Sequence, residues 1–280
     1  MRIKITTDST CDLSRDLVEK YDIHVLPLSV NIGGKDYRDG VDAKPDDIYA
    51  HVAGGGNLPS TAAINPAVYE ELFAQYASQY DAVIHFNISA EFSSCYQNAK
   101  LAAAEFENVY VVDSRNLSTG HGLLVLRAAD LAQQGVDAAA IAEQMRQDAE
   151  KVDASFILDQ LEYLKKGGRC STIAALGANL LKLKPCIEVK DGKMGVAKKY
   201  RGAFEKCLAE YIRDRIADRD DLDLDRVFVT HSGISEELEK LAVEKVRELQ
   251  TFREVLVTRA GCTVSSHCGP DTIGVLYIHK

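Results

Sequence analysis

Ala82-Val83-Ile84-His85-Phe86, followed at a helix's distance by Val109-Tyr110-Val111-Val112, shows apolar runs with almost no alternation. Strands covered on both faces, as in a parallel sheet, read this way. The intervening segment reads as a helix, so these residues spell repeated βαβ units. Towards the N-terminus, Ile3-Lys4-Ile5-Thr6-Thr7 is a further strand running into Asp8-Ser9-Thr10, and Asp12 or Ser14 caps a short helix around Leu17 to Tyr21. The run from His24 to Ile32 and Lys35-Asp36-Tyr37 flank Gly33-Gly34, a hairpin signal, with Pro27 suited to an edge or bulge. A helix is expected over 45–52, then a loop at Gly54-Gly55-Gly56-Asn57. Pro66 opens a helix with Tyr69, Leu72, Phe73 and Tyr76 on one face, and helices fill much of 119–150.

Beyond about residue 154 the pattern changes. Ser155-Phe156-Ile157-Leu158 is strand-like, and a short helix over 161–166 stops at Gly167-Gly168. Cys186-Ile187-Glu188-Val189 and Met194-Gly195-Val196-Ala197 flank Asp191-Gly192, a second hairpin. Strands at 227–230, 254–257 and 273–277 are separated by helices at about 203–218 and 235–250. The expected fold class is therefore α/β in two domains. Residues 1–153 form an N-terminal parallel-sheet βαβ domain, and residues 154–280 a C-terminal α+β domain with a mixed sheet.

The chain has 280 residues, with 33 Lys and Arg against 42 Asp and Glu, a formal charge of −9. That balance argues against a broad nucleic-acid-binding face or a polybasic membrane surface. No apolar run approaches the roughly 18–20 residues that span a bilayer, so no stable membrane insertion is expected. Met1-Arg2-Ile3-Lys4-Ile5 leads directly into a strand without a signal-peptide pattern. Seven scattered cysteines without a CxxC pair fit reduced thiols, and a cytoplasmic location is expected. Cys262, His267 and Cys268 lack the fourth ligand of a structural zinc site; they read as small buried side chains, with no metal expected.

Polar clusters recur after predicted strands: Asp8-Ser9-Thr10, Asn87-Ile88-Ser89, Asp113-Ser114 and His231-Ser232. Singly, each reads as a cap or turn. Together they place a cleft at the carboxyl ends of the strands, where open α/β sheets bind ligands. No GxxxxGK[ST], strand-borne GxGxxG or GxSxG is present, so neither a familiar nucleotide site nor a hydrolase elbow is indicated. Ser93, His267 and Asp8 or Asp113 still offer the residue types of a Ser-His-Asp set. Arg169 follows the Gly167-Gly168 pair and precedes a further helix capped by Ser171, while His267 is expected in a tight turn before the last strand.

Taken in order, these motifs resemble the DegV family of bacterial fatty-acid-binding proteins, over essentially the whole chain. The stretches are Thr7-Asp8-Ser9-Thr10-Cys11-Asp12-Leu13, Val25-Leu26-Pro27-Leu28, Ile88 to Ala99, Val112-Asp113-Ser114, Tyr163 to Arg169, Lys184-Pro185, Arg201-Gly202 and His267-Cys268-Gly269-Pro270. The resemblance implies a long-chain, palmitate-like fatty acid in an apolar interdomain tunnel, its carboxylate held by the hydroxyls of Thr61 and Ser93. Arg169, Arg201 and His267 become candidates for the head group or a partner-facing surface. The chain departs from the family pattern at Ala62-Ala63-Ile64, at Ser94-Cys95 and at Asp271, which would add a negative charge near the carboxylate. The implied role is a non-catalytic lipid carrier with no cofactor, presenting its ligand to a partner, as some relatives do to a fatty acid kinase. Two alternatives stand beside it: an acyl hydrolase or acyltransferase using Ser93 and His267, and a binder of another small carboxylate.

Overall fold

The computed structural model describes residues 1–171 and 183–280. Strand β1 (Ile3–Asp8) passes through a 3-10 turn into α1 (Arg15–Lys20), which Ser14 caps at the Leu17 amide. There follow β2 (His24–Leu26), β3 (Ser29–Ile32), β4 (Lys35–Arg38), α2 (Pro45–Ala53), β5 (Ser60–Ala62) and α3 (Pro66–Ala77). Next come β6 (Ala82–Asn87), α4 (Cys95–Ala103), β7 (Val109–Asp113), α5 (Ser118–Gln133) and α6 (Ala138–Asp148). The second half contains β8 (Val152–Leu158), α7 (Glu162–Gly167), β9 (Leu183–Lys190), β10 (Lys193–Arg201) and α8 (Phe204–Ile216). It ends with β11 (Leu222–His231), α9 (Glu236–Leu249), β12 (Glu254–Arg259), α10 (Cys262–Cys268) and β13 (Thr272–His279). The helix expected after Ser171 lies outside the described residues.

Strands β2-β1-β6-β7 form a wholly parallel sheet, as the non-alternating runs require. Strands β10-β9-β8-β13-β11-β12 form a mixed sheet in which only β11 and β12 run parallel. A small antiparallel sheet, β4-β3-β5, completes the α/β fold. Both predicted hairpins are present: Gly33-Gly34 and Asp191-Gly192 all have positive φ, as a primed two-residue turn needs. The run 24–32 is not one strand. It breaks at Pro27-Leu28, so β2 edges the parallel sheet and β3 enters the small one, because proline cannot donate to a ladder. No helix among the described residues is long and apolar enough to cross a membrane.

Helix α5 lies between the two large sheets. Leu124 and Leu126 pack with Ile84 and Phe86 of the first sheet and with Phe228, Leu276 and Ile278 of the second. Its first nine residues, 118–126, are all buried. Polar groups there are paired on both sides: Thr7 Oγ1 lies 2.9 Å from His121 Nε2, and Thr119 Oγ1 lies 2.6 Å from Thr230 Oγ1. On the outer faces, α3 and α4 cover the parallel sheet, and α8 and α9 cover the mixed one. Near the other end of α5, the buried Arg226 guanidinium on β11 bonds Asp130 at 2.6 Å and Glu254 at 2.5 Å.

Close packing sets the residue size along α5. A Cβ at Gly122 would stand 2.7 Å from the Cys11 carbonyl oxygen and 2.9 Å from Leu13 Cδ2. Alanine in a helix is otherwise favoured over glycine by about 1 kcal/mol. A backbone carbonyl cannot step aside as a side chain can, and overpacking costs about 1–3 kcal/mol. Gly122→Ala is therefore expected to lower the urea midpoint. A raised midpoint would show that helix propensity outweighs the contact.

Candidate functional site

A cavity of about 310 Å³ opens at the carboxyl edge of the parallel sheet. Its size is at the lower end of the roughly 300–1,000 Å³ usual for small-molecule sites. The walls are apolar: Leu28 after β2, Ile88 and Phe92 after β6, Leu117 before α5, Met194 on β10 and Val264 on α10. The rim holds Thr61, Ser93, Arg169 and His267. Leu28, Ile88, Leu117 and Val264 are buried, whereas Arg169 is exposed and Thr61 and Ser93 are half-buried, so the polar groups mark the mouth.

Each rim residue is held by a different element. Thr61 is the central residue of β5, opposite Val30 of β3. Ser93 lies in the segment following β6, which the strand-end polar residues tie down. The Ile88 amide donates to Asp8 Oδ2 at 2.9 Å, the Ala90 amide to Asp113 Oδ1 at 3.3 Å, and the Ser89 hydroxyl to the Gly192 carbonyl at 2.8 Å. Asp8, Ser89 and Asp113 therefore brace the site without lining it, while Ile88 of the same clusters forms part of the wall. Arg169 follows the left-handed Gly168 that ends α7, and its guanidinium donates to the Gly167 carbonyl at 2.8 Å. His267 sits on α10, not in a turn. That helix is hidden in a sequence of poor helix formers, Cys262-Thr263-Val264-Ser265-Ser266-His267-Cys268.

His267 Nε2 lies 2.9 Å from Thr61 Oγ1, while its Nδ1 is buried without a hydrogen-bond partner. A Cβ at Gly167 would come within 2.6 Å of that Nδ1, so glycine is what lets the ring seat there. Burial, with the Arg169 guanidinium adding to it, holds the imidazole down at about 4, so the ring is neutral at pH 7. One ring proton must then choose a nitrogen. On Nε2 it donates to Thr61; on Nδ1 it would be a buried orphan donor, the rarer and costlier arrangement. With Nε2–H donating to Thr61 Oγ1, the threonine proton is free to turn into the cavity. Ser93 Oγ donates to Cys95 Sγ at 3.2 Å, a weak acceptor, and this proton too can be redirected. Two hydroxyl donors beside one guanidinium suit an anionic ligand group with two oxygen acceptors.

Four of the five residues singled out in the sequence thus border one cavity. Arg201 does not line it: it is exposed at the opposite end of β10 from Met194. Asp271 does not line it either. Its φ of 56° explains why a glycine suits that position and why aspartate is tolerated there. The Ser-His-Asp set does not form: Ser93 bonds Cys95 and His267 bonds Thr61. Asp8 is engaged by Thr10, Asn87 and Ile88, and Asp113 by the Ala90 and Arg115 amides. Among the described residues no group of 3 or more His, Cys, Asp or Glu is placed to hold a metal ion. The wall residues were not singled out in the sequence; the breaks at Pro27 and Asp191-Gly192, next to Leu28 and Met194, were the available signals.

Fold and site define an α/β protein of two large sheets and one small one, with an apolar cavity rimmed by hydroxyl, imidazole and guanidinium groups. The model of the DegV family, described as uncharacterised proteins, matches residues 2–280, and the chain belongs to that family. A DegV domain-containing protein of Caldanaerobacter subterraneus is 32% identical over 283 residues, covering 100% of this chain and 99% of the relative. A solved DegV family protein from Thermus thermophilus, described for fatty acid binding, is similar with a TM-score of 0.91 and 32% identity over 100% of both chains. A stearic acid-binding protein from Eubacterium ventriosum has a TM-score of 0.85 and 26% identity, covering 99% of this chain and 98% of that one.

The lowered His267 value has a stability consequence. Between pH 6.5 and about 4 the unfolded chain takes up a proton that the folded one refuses, so stability is full above pH 6.5 and falls on acidification. His85, held down at about 3 by burial, adds to the same slope. His267→Gln removes one titrating group, and its unfolding free energy in urea should fall less steeply with pH, by up to about 1.4 kcal/mol per pH unit. An identical slope in wild type and variant would contradict a neutral, buried His267.

Proposed function

We propose that this chain binds a long-chain fatty acid non-covalently, with the acyl chain in the apolar cavity and the carboxylate at its mouth. The observation that carries this reading is the convergence of the Thr61 and Ser93 hydroxyls and the Arg169 guanidinium on the rim of one apolar cavity. A desolvated carboxylate needs donors, since an unpaired buried charge is very costly. Each buried CH₂ of the tail contributes about 0.8 kcal/mol, so few head-group contacts suffice. The fatty-acid-binding proteins of Thermus thermophilus and Eubacterium ventriosum lend support through their shared fold.

The role we infer is that of a cytoplasmic carrier of palmitate-like acids that presents the head group to a partner, for which a fatty acid kinase is the candidate. The exposed Arg169 beside the head-group end supports presentation. A non-catalytic role is supported by the hydrogen bonds of Ser93 and His267, neither of which goes to the other. Catalysis at Ser93 needs a base within reach and a third group orienting it.

The double change Thr61→Ala and Ser93→Ala removes both hydroxyl groups and, of the carbon skeleton, only the Thr61 methyl. It should weaken binding of a fluorescent fatty acid by about tenfold or more while leaving the unfolding midpoint near that of wild type. Unchanged affinity would remove both residues from the site. Purified protein should not turn over p-nitrophenyl or thioester acyl substrates above background; steady turnover lost in Ser93→Ala would establish the hydrolase instead. Solvent extraction and lipid mass spectrometry of the purified protein would identify any acid carried with it.

A further inference from the structure

The segment Thr7-Asp8-Ser9-Thr10-Cys11-Asp12-Leu13 adds no side chain to the cavity lining. Asp12 of this segment, together with Asp39 after β4, nevertheless reaches the N-terminus of α10. Asp12 Oδ1 accepts the Gly261 amide at 2.7 Å. Asp39, following β4, accepts the Cys262 amide at 2.6 Å on Oδ1 and the Thr263 amide at 3.0 Å on Oδ2. Both aspartates are buried, and both are braced by hydroxyls: Ser9 donates to Asp39 Oδ2 at 3.1 Å, and Ser118 Oγ is 2.5 Å from Asp12 Oδ2. Three successive amides of a helix start are thereby satisfied from more than 200 positions away in sequence. A Cβ at Gly261 would lie 3.0 Å from Asp39 Oδ1 and 3.2 Å from Asp12 Oδ1, between the two carboxylates.

Helix α10 carries Thr263, Val264, His267 and Cys268 into the cavity wall. Seven residues of low helix propensity do not hold a helix by themselves. We propose that Asp12 and Asp39 are positioning residues of the site, a clamp of two carboxyl groups on the amides of residues 261–263 that sets the depth and rotation of α10 and so holds His267 Nε2 against Thr61. The consequence for ligand affinity rests on the fatty-acid reading above; the placement of His267 does not.

The two carboxylates differ in what they tolerate. Both Asp39 oxygens accept from donors, so an amide nitrogen would face an N–H. Asp12 accepts one amide on Oδ1, while its Oδ2 meets a hydroxyl that can also accept, and an amide fits. Burial, reinforced by the neighbouring Asp39 and Asp8 charges, raises Asp12 to about 8, which agrees with a neutral group there.

The test uses the full chain in two measurements: ¹⁵N resonances and titration of the His267 imidazole without ligand, and titration with a fluorescent fatty acid. Asp39→Asn, checked for folding by circular dichroism, should shift the His267 resonances, move its titration up towards 6.5 and weaken binding by about tenfold. Asp12→Ala should act in the same direction, and Asp12→Asn should restore what Asp12→Ala loses. Wild-type imidazole signals in a folded Asp39→Asn variant would overturn the clamp. If Asp39→Asn does not fold, Gly261→Ala carries the test, with displaced His267 signals expected and unchanged ones overturning it. Absence of fatty-acid binding in wild type would defeat the proposed function alone, because the imidazole readout needs no ligand.

Discussion

Two sheets close on the same helix, and that restriction shapes the rest of the molecule. The first turns of α5 have no solvent-facing side, so each position must suit a neighbour on either hand. Glycine appears where backbone or side chains come closest: at Gly122 against Cys11 and Leu13, and at Gly120, whose Cβ would stand 3.0 Å from that of Ala154. Hydroxyl and imidazole groups fill the remaining polar positions in pairs, since buried donors without partners are costly. Leu117, just before the helix, lines the cavity. The cavity lies beside the start of α5, between residues that follow the parallel sheet and residues of β10 and α10.

Ordinary capping chemistry supplies the walls of this space. At the ends of two parallel strands, Asp8 accepts the Thr10 amide on one oxygen and the Ile88 amide on the other, and Asp113 accepts the Ala90 amide. Such residues make the loop after β6 rigid, and the same loop leans on the Asp191-Gly192 turn of the other sheet through Ser89. A site on loops gains precision when its amides are tied to strands in this way. The Thr61 and Ser93 hydroxyls at the cavity rim are different: their present partners are a neutral imidazole and a thiol.

Most of the fold was legible in the sequence, for reasons that apply residue by residue. The runs at 82–86 and 109–112 announce parallel strands because burial on both faces removes alternation, and Gly33-Gly34 and Asp191-Gly192 announce turns because few other pairs accept positive φ. Sequence pattern failed where stability comes from afar. β5 has three residues and exists through pairing with β3. α10 is made of residues that prefer other conformations, and its start is satisfied by Asp12 and Asp39. The candidate site is harder still, since Thr61 and His267 meet across 206 positions and no periodicity records such a meeting. Ser93, Arg169 and His267 stood out as a possible nucleophile and as residues beside Gly-rich turns. Their ligand-facing roles, and Thr61 itself, came from family resemblance, and the same route brought in Arg201, which does not line the cavity.

The rim is also distributed over the three sheets: Thr61 belongs to the small one, Ser93 follows the parallel one, and His267 precedes the last strand of the mixed one. A molecule touching all three side chains at once can be held only while the three sheets are assembled. By mass action, an occupant at one hundred times its dissociation constant adds about 2.7 kcal/mol to the assembled state and nothing to states in which one sheet has come away. Occupancy would therefore act as a cross-link between structural units that share few covalent neighbours, raising the cooperativity of unfolding along with its midpoint. The filled and empty forms would differ most in how readily a single sheet opens, and least in their average shape.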